Sequence, residues 1–422
     1  MIKMSAKQDY IWNTMAGLIK AGETVLMTMV ATRLAGLTVA GIITIAFAVG
    51  NQLLNIGKFG VRNYQVTDTT NRYSWGVYFK ERIISVIYMM VCTGIYLSYA
   101  YFVLNYKQDK IEAIAIICMI FAVEAIEDVF WGLYQKKGFL AVGAKIFCVR
   151  WGGILVSYSV ALWITGNLVY TLFVCLFFSI LVLLVAVRVT YYRITGNRET
   201  PLKIEPTEKG QCIKLQLATL PIFAMEFLSL YIGNAPKYAI DKCLNDEVQA
   251  CYGFVAMPVF VIGLLNTFIY QPTLVQMANE WQEKNLDKFK SRIRKQIWII
   301  IGIAAICLAG AYCIGIPVLS WLFATDLTNY KRELMILLIA GTFYAISGYL
   351  GIVITIIRRQ RFLIGIYGLV ALTALLFLTK IVSVYGTIGA AIGHLGLMVL
   401  LCILYVILIG IESRRTMENA MV

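Results

Sequence analysis

The sequence predicts an all-α polytopic membrane protein, with about twelve transmembrane helices in two six-helix lobes. Three observations predict it. Of 422 residues, 60% are hydrophobic and 14% charged, against ~45–50% and ~25% in soluble domains. The apolar residues fall in blocks of about 20, the length a helix needs to cross a bilayer. The blocks run along the whole sequence, which excludes a soluble enzyme, a disordered tail and a single-span anchor. No alternating ten-residue strand pattern competes, and only helices or closed barrels satisfy their backbone in lipid.

The spans follow in order. The first two are expected at 10–33 and 37–57, followed by a polar loop at 58–80. The next pair covers 81–104 and 111–134. A tight Thr165-Gly166-Asn167 turn joins 140–164 to 167–188. Residues 1–190 therefore form an N-terminal lobe, and a polar, Pro-containing linker covers 191–212. The second lobe, 213–422, holds spans at 213–234, 249–278, 296–322, 333–357, 362–380 and 386–411. Charged loops follow the second and eighth spans, six helices apart, as in transporters built from repeated lobes.

The net charge of +14 first suggests an acidic partner. Placing the N-terminus inside puts 27 of the 37 Lys and Arg in inner segments and 8 in outer ones. That asymmetry is the positive-inside signal, so both termini are expected in the cytoplasm and nucleic acid is not an expected partner. Lys3 and Lys7 precede a full-length span with no small-residue cleavage site, so no cleavable signal peptide is expected. Seven of the ten cysteines, among them Cys118 and Cys175, lie in apolar blocks and read as small hydrophobes. With one His and no CxxC, no metal site or other resident cofactor is expected.

Charges inside spans are expensive, about 2.5–3.5 kcal/mol each on insertion scales, and so mark candidate sites. In the first span Asn13, Gly17, Lys20, Thr24, Thr28 and Thr32 recur every three to four residues, one face of a helix, with Glu23 beside Lys20. That face suits either a hydrophilic cavity or a polar seam between helices. In the fourth span Glu124, Glu127 and Asp128 share one face. They are candidates for Na+ or H+ coupling if they face a cavity. If the helix is shallower, they sit at the wet inner interface, with Trp131 and Tyr134 as its aromatic markers. Glu226 lies in the seventh span and Arg150 in the fifth. Arg150 suits an anionic headgroup, or a partner among the fourth-span acids. His394, flanked by glycines, reads as a packed residue.

Several stretches carry a family resemblance. They are Phe59-Gly60-Val61-Arg62-Asn63-Tyr64-Gln65-Val66-Thr67-Asp68, Tyr134-Gln135-Lys136-Lys137-Gly138 and Asn234-Ala235-Pro236-Lys237-Tyr238-Ala239-Ile240-Asp241. Trp12-Asn13-Thr14 and Thr32-Arg33-Leu34-Ala35-Gly36 bracket the first span. Together they resemble the bacterial Wzx-type polysaccharide flippases of the O-antigen and capsule systems. The motifs cover about the first 250 residues, and beyond them only helix count and loop pattern agree.

The resemblance implies a MATE-like fold of the MOP exporter superfamily in the bacterial cytoplasmic membrane. It implies transport of undecaprenyl-diphosphate-linked repeat units to the outer leaflet by alternating access, without enzymatic chemistry. Expected partners are the lipid-linked oligosaccharide, membrane lipids, and polysaccharide polymerase and chain-length proteins. Lys20, Arg33, Arg150 and Lys237 are the candidates to meet diphosphate or acidic sugar. Asn13, Glu23, Thr24, Glu226, Asn234 and Asp241 are expected to line the cavity, and Arg62 and Asp68 to form an inner gate. A cation-coupled MATE-type exporter fits the same helix plan. A membrane polymerase fits less well, since the longest outer segment, about 235–248, is short.

Overall fold

The computed structural model describes residues 6–196, 210–259, 262, 270, 273–283 and 285–421. Among them every regular element is helical. The chain divides into two compact units, Met1–Phe227 and Leu228–Val422. The expected linker at 191–212 lies outside the described residues over 197–209, and the expected eighth span is described only in part.

In the first unit the helices are α1 (Ala6–Ala35), α2 (Leu37–Lys58), α3 (Val61–Thr67), α4 (Trp75–Phe102), α5 (Gln108–Lys136), α6 (Leu140–Thr165) and α7 (Leu168–Thr195). The long helix α8 (Gln211–Cys243) crosses the division between the units. Eight segments of the described chain are long and apolar enough to cross a membrane, among them α2, α4, α6 and α7. α1 and α5 are of comparable length but carry Lys20 and Glu23, and Glu124, Glu127 and Asp128.

α5 is the hub of the first unit. It packs on α2, α3, α4, α6 and α7, while α1 packs on α2 and α6. Its apolar positions, among them Ile117, Phe121, Val129 and Phe130, are buried around the helix. A helix enclosed on all sides needs that pattern rather than a single apolar stripe. Gly50 of α2 makes room for α5: a Cβ there would lie 2.6 Å from Phe121 Cδ2.

Two differences from the expected boundaries bear on function. α4 begins at Trp75, six residues before the expected start, and takes in Lys80, Glu81 and Arg82. Lys80, expected in the loop, is helical and half-buried, and Glu81 and Arg82, at the expected edge of the span, are fully enclosed. The loop after α2 also holds a helix of its own, α3. Phe59 and Gly60 take left-handed φ values of 47° and 64°, which ends α2 and reverses the chain. Gly60 tolerates that φ without a Cβ penalty. Phe59 stacks on Phe223, with centroids 4.3 Å apart. Beyond α3, Trp75, Phe79, Phe130 and Tyr191 form an aromatic core.

In the second unit α9 (Asp246–Ala256) and α10 (Leu274–Gln282) precede α11 (Leu286–Gly310). A π-helical turn, Ala311–Gly315, leads into α12 (Ile316–Phe323). A short 3-10 turn at Thr328–Tyr330 opens onto α13 (Lys331–Ile356), and α14 (Arg361–Thr373) passes through a second π turn into α15 (Thr379–Met421). Gly386, at φ 59° and ψ −139°, breaks α15 in two and separates the last two expected spans. α13 packs on α15, α11 and α9 and forms the centre of this unit.

Candidate functional site

The first unit contains a network of buried charge centred on α5. Glu124, Glu127 and Asp128 are each under 10% exposed. Five cations reach toward them, one from each of α1, α2, α3, α4 and α6. Lys20 Nζ lies 3.0 Å and Lys58 Nζ 2.9 Å from Glu124 Oε1. Arg62 and Arg82 approach opposite oxygens of Asp128 at 3.4 and 3.0 Å. Arg150 donates from Nε to Glu127 at 2.7 Å and from a terminal nitrogen to Glu124 at 3.4 Å. Trp151 Nε1 adds a 3.0 Å bond to Glu124, and Ser179 of α7 accepts from Arg150. Glu23 takes a 2.8 Å bond from Lys20.

Local structure sets this convergence. Glu124 and Asp128 are one helical turn apart on α5, and the Phe59–Gly60 reversal puts Lys58 and Arg62 on either side of a tight bend. One cation therefore meets each rung. Arg82 is held from behind by Gly57 O at 2.8 Å, and Arg62 lies 4.1 Å over the Trp131 ring. Arginine suits these positions because its planar fork can pair and stack at once. Buried charges need such pairing, since an isolated one costs several kcal/mol.

Two cavities open beside the network. A cavity of about 260 Å³ is lined by Asn13, Gly17 and Lys20 of α1, and by Lys58, Arg62 and the three α5 acids. The neighbouring cavity, about 520 Å³, shares Asn13, Lys58, Arg62 and Asp128 and adds Asn63, Gln135 and Glu226. Lys20, Lys58 and Arg62 keep 32%, 30% and 23% of their side chains exposed, whereas Arg82 and Arg150 keep none. Three cations thus face the cavities and two lock the wall behind them.

The α5 acids line a cavity inside the first unit. Trp131 belongs to the same cavity wall, and Tyr134 is buried against Thr190. The polar face of α1 divides. Asn13, Gly17 and Lys20 line the cavities, but Thr28 is buried and turns its hydroxyl to the carbonyl of Thr24 at 2.7 Å, and Thr32 does the same to Thr28. Glu226 reaches the larger cavity and accepts a 3.2 Å bond from Asn63. Arg33 sits in the last turn of α1, thirteen residues from Lys20 and so ~20 Å further along the helix. Asn234, Lys237 and Asp241 belong to the second unit, where Lys237 lies within electrostatic reach of the buried His394.

Arg62 and Asp68 do not pair with each other among the described residues. Asp68 instead closes the loop between α3 and α4. Burial alone would raise its carboxyl. Hydrogen bonds from Arg72 N–H (2.9 Å), the Tyr78 hydroxyl (2.8 Å) and Tyr73 N–H, with Lys136 at 3.6 Å, outweigh that and hold it at about 2. Its folded value lies below the ordinary ~3.9. The anion therefore stabilises the loop above about pH 4, and the benefit is lost as pH falls toward about 2. Pepsin is expected to cut wild-type protein within 68–74 near pH 2 but not near pH 4, and to cut Asp68→Asn at both; identical digestion patterns would remove Asp68 as the loop's anchor.

Lys58 and Arg82 are members of the network that the sequence did not single out as candidates. The available signal was their position, one at the end of a span and one within a turn of the next.

Comparison with known proteins places this architecture. No protein-family model matches the chain, and no curated protein sequence matches it. Solved structures do. A lipid II flippase, MurJ, in an inward closed conformation superposes with a TM-score of 0.72 at 10% identity, over 98% of this chain and 91% of that one. An inward-facing multidrug resistance MATE family transporter of the MOP superfamily gives 0.70 at 13% identity, over 93% and 96%. A MATE transporter of Vibrio cholerae, VcmN, gives 0.59 at 12% identity, over 98% and 97%. The chain therefore has the fold shared by MATE transporters and a lipid II flippase.

Proposed function

We propose that the chain is a flippase that carries undecaprenyl-diphosphate-linked oligosaccharide repeat units from the inner to the outer leaflet of a bacterial cytoplasmic membrane, by alternating access, for surface polysaccharide. The observation that carries this reading is the cavity wall of the first unit. Lys20, Lys58 and Arg62 offer partly exposed cations, and Asn13, Asn63 and Gln135 stand beside them. Guanidinium and ammonium groups suit a diphosphate, and side-chain amides suit sugar hydroxyls as both donors and acceptors. A fold shared with a protein named for flipping lipid II supports a lipid-linked cargo. Polymerase and chain-length proteins would take up the product, and both termini would lie in the cytoplasm.

The likeness to multidrug MATE transporters favours a second reading, a cation-coupled exporter of small molecules. Against a bare Na+ cage, Glu124, Glu127 and Asp128 each lie within salt-bridge distance of a Lys or Arg. Coupling to Na+ or H+ would then proceed by exchange within these ion pairs. Deleting the gene separates the readings. The flippase reading expects loss of surface polymer and accumulation of lipid-linked repeat units on the inner leaflet. Unchanged surface polymer with raised sensitivity to cationic drugs would favour the exporter.

A further inference from the structure

The second unit carries a groove of about 650 Å³ where the π turn after α11 meets the start of α13. Its walls include Tyr312, Lys331, Arg332, Met335, Ile336 and Ile388. The α13 residues among them fall within about 140° of arc, so one helix face presents two cations at its first turn and two apolar side chains one turn further on. The opposite face of α13, with Glu333, Leu334 and Leu337, is buried.

The neighbouring acids point elsewhere. Glu333 is 4% exposed and accepts a 2.7 Å bond from the Thr387 hydroxyl. Asp326 is taken up by the backbone N–H and hydroxyl of Thr328. Among the described residues neither Lys331 nor Arg332 forms an ion pair. Lys331 Nζ instead stands 3.9 Å over the Tyr312 ring, which the π turn supplies. Interruptions of this type recur at functional sites. The start of α13 also adds the positive end of a helix dipole.

Tyr312, in the groove wall, is 60% exposed, as suits an aromatic ring at a membrane interface. An occupant of the groove would have its headgroup beside the cations and its chain along the apolar wall. We propose that this groove binds an anionic phospholipid, with its phosphate on Lys331 and Arg332 and an acyl chain on Met335, Ile336 and Ile388. The site lies wholly within the second unit and is separate from the charged cavities of the first.

Native mass spectrometry of the full-length, detergent-released protein tests this, with phosphatidylglycerol, phosphatidylethanolamine and inorganic phosphate as probes. Wild type is expected to hold phosphatidylglycerol more tightly than phosphatidylethanolamine. Lys331→Ala with Arg332→Ala is expected to weaken phosphatidylglycerol binding by roughly 25-fold, about five-fold for each cation. The charge-keeping pair Lys331→Arg with Arg332→Lys is expected to retain the preference, and Lys242→Ala with Lys380→Ala to leave it unchanged. Equal affinity for the two lipids, unaltered binding in the double alanine variant, or displacement of the lipid by millimolar inorganic phosphate would each overturn the proposal.

Discussion

Glu124→Ala is expected to cost about 3–5 kcal/mol of stability, the range for removing one partner of a buried ion pair. Glu124 is 2% exposed and serves three cations and one indole N–H. Its loss would leave Arg150, fully enclosed, with Glu127 as its remaining carboxylate, and would leave Lys20 and Lys58 facing each other without their shared anion. Glu124→Gln keeps the shape and one acceptor, so its loss is expected to be smaller. Glu112→Ala, on the same helix but bonded only to Gln108 among the described residues, is expected to change stability by less than about 0.5 kcal/mol. The midpoint of thermal unfolding in detergent reads these effects. Adding Lys58→Ala to Glu124→Ala is expected to restore part of the loss, because the uncompensated charge is removed with its partner. An unshifted midpoint in Glu124→Ala would show that the network does not hold the first unit together.

Lys58→Ala with Arg62→Ala is expected to act on transport instead. These two cations line both cavities and stay partly exposed, so they are placed to meet a ligand as well as the wall. A hydrogen bond to a charged group contributes about 1.5–3 kcal/mol. Losing two such contacts to a diphosphate is expected to slow delivery of lipid-linked saccharide to the outer leaflet of proteoliposomes by at least about ten-fold. Arg62→Lys keeps the charge but loses the fork over Trp131, and an intermediate rate is expected. A wild-type rate in the double alanine variant would exclude both residues from the cargo path.

The helical architecture was legible because lipid leaves few ways to satisfy a backbone. Apolar length alone marked α2 and α6 to within a residue, whereas α7 runs seven residues past its expected end. The start of α4 was placed six residues late, at Glu81, and nothing in the sequence of Glu81 and Arg82 announces their burial. The same blindness hid Lys58 and Arg82 from the site. A count of charges by segment sorts each residue by its own polarity, whereas burial of a cation depends on an acid more than forty residues away. The α5 triad was legible as one face, and the structure adds what that face meets. The Thr28 and Thr32 half of the α1 face satisfies its hydroxyls within its own helix, which spacing alone does not distinguish from a cavity lining.

The convergence of five helices on α5 has a consequence for how such a chain can diverge. A sign change at Glu124 or Asp128 strands cations that come from separate parts of the sequence, so single substitutions there meet steep selection. Neutral drift is open only along joint routes, in which Lys58 changes with Glu124 or Arg82 with Asp128. The partly exposed cations Lys20, Lys58 and Arg62 leave less unpaired buried charge when changed, and can be retuned for a different cargo sooner than the enclosed ones. Change of cargo is therefore expected to pass through α1, α2 and α3, while α4, α5 and α6 hold the frame.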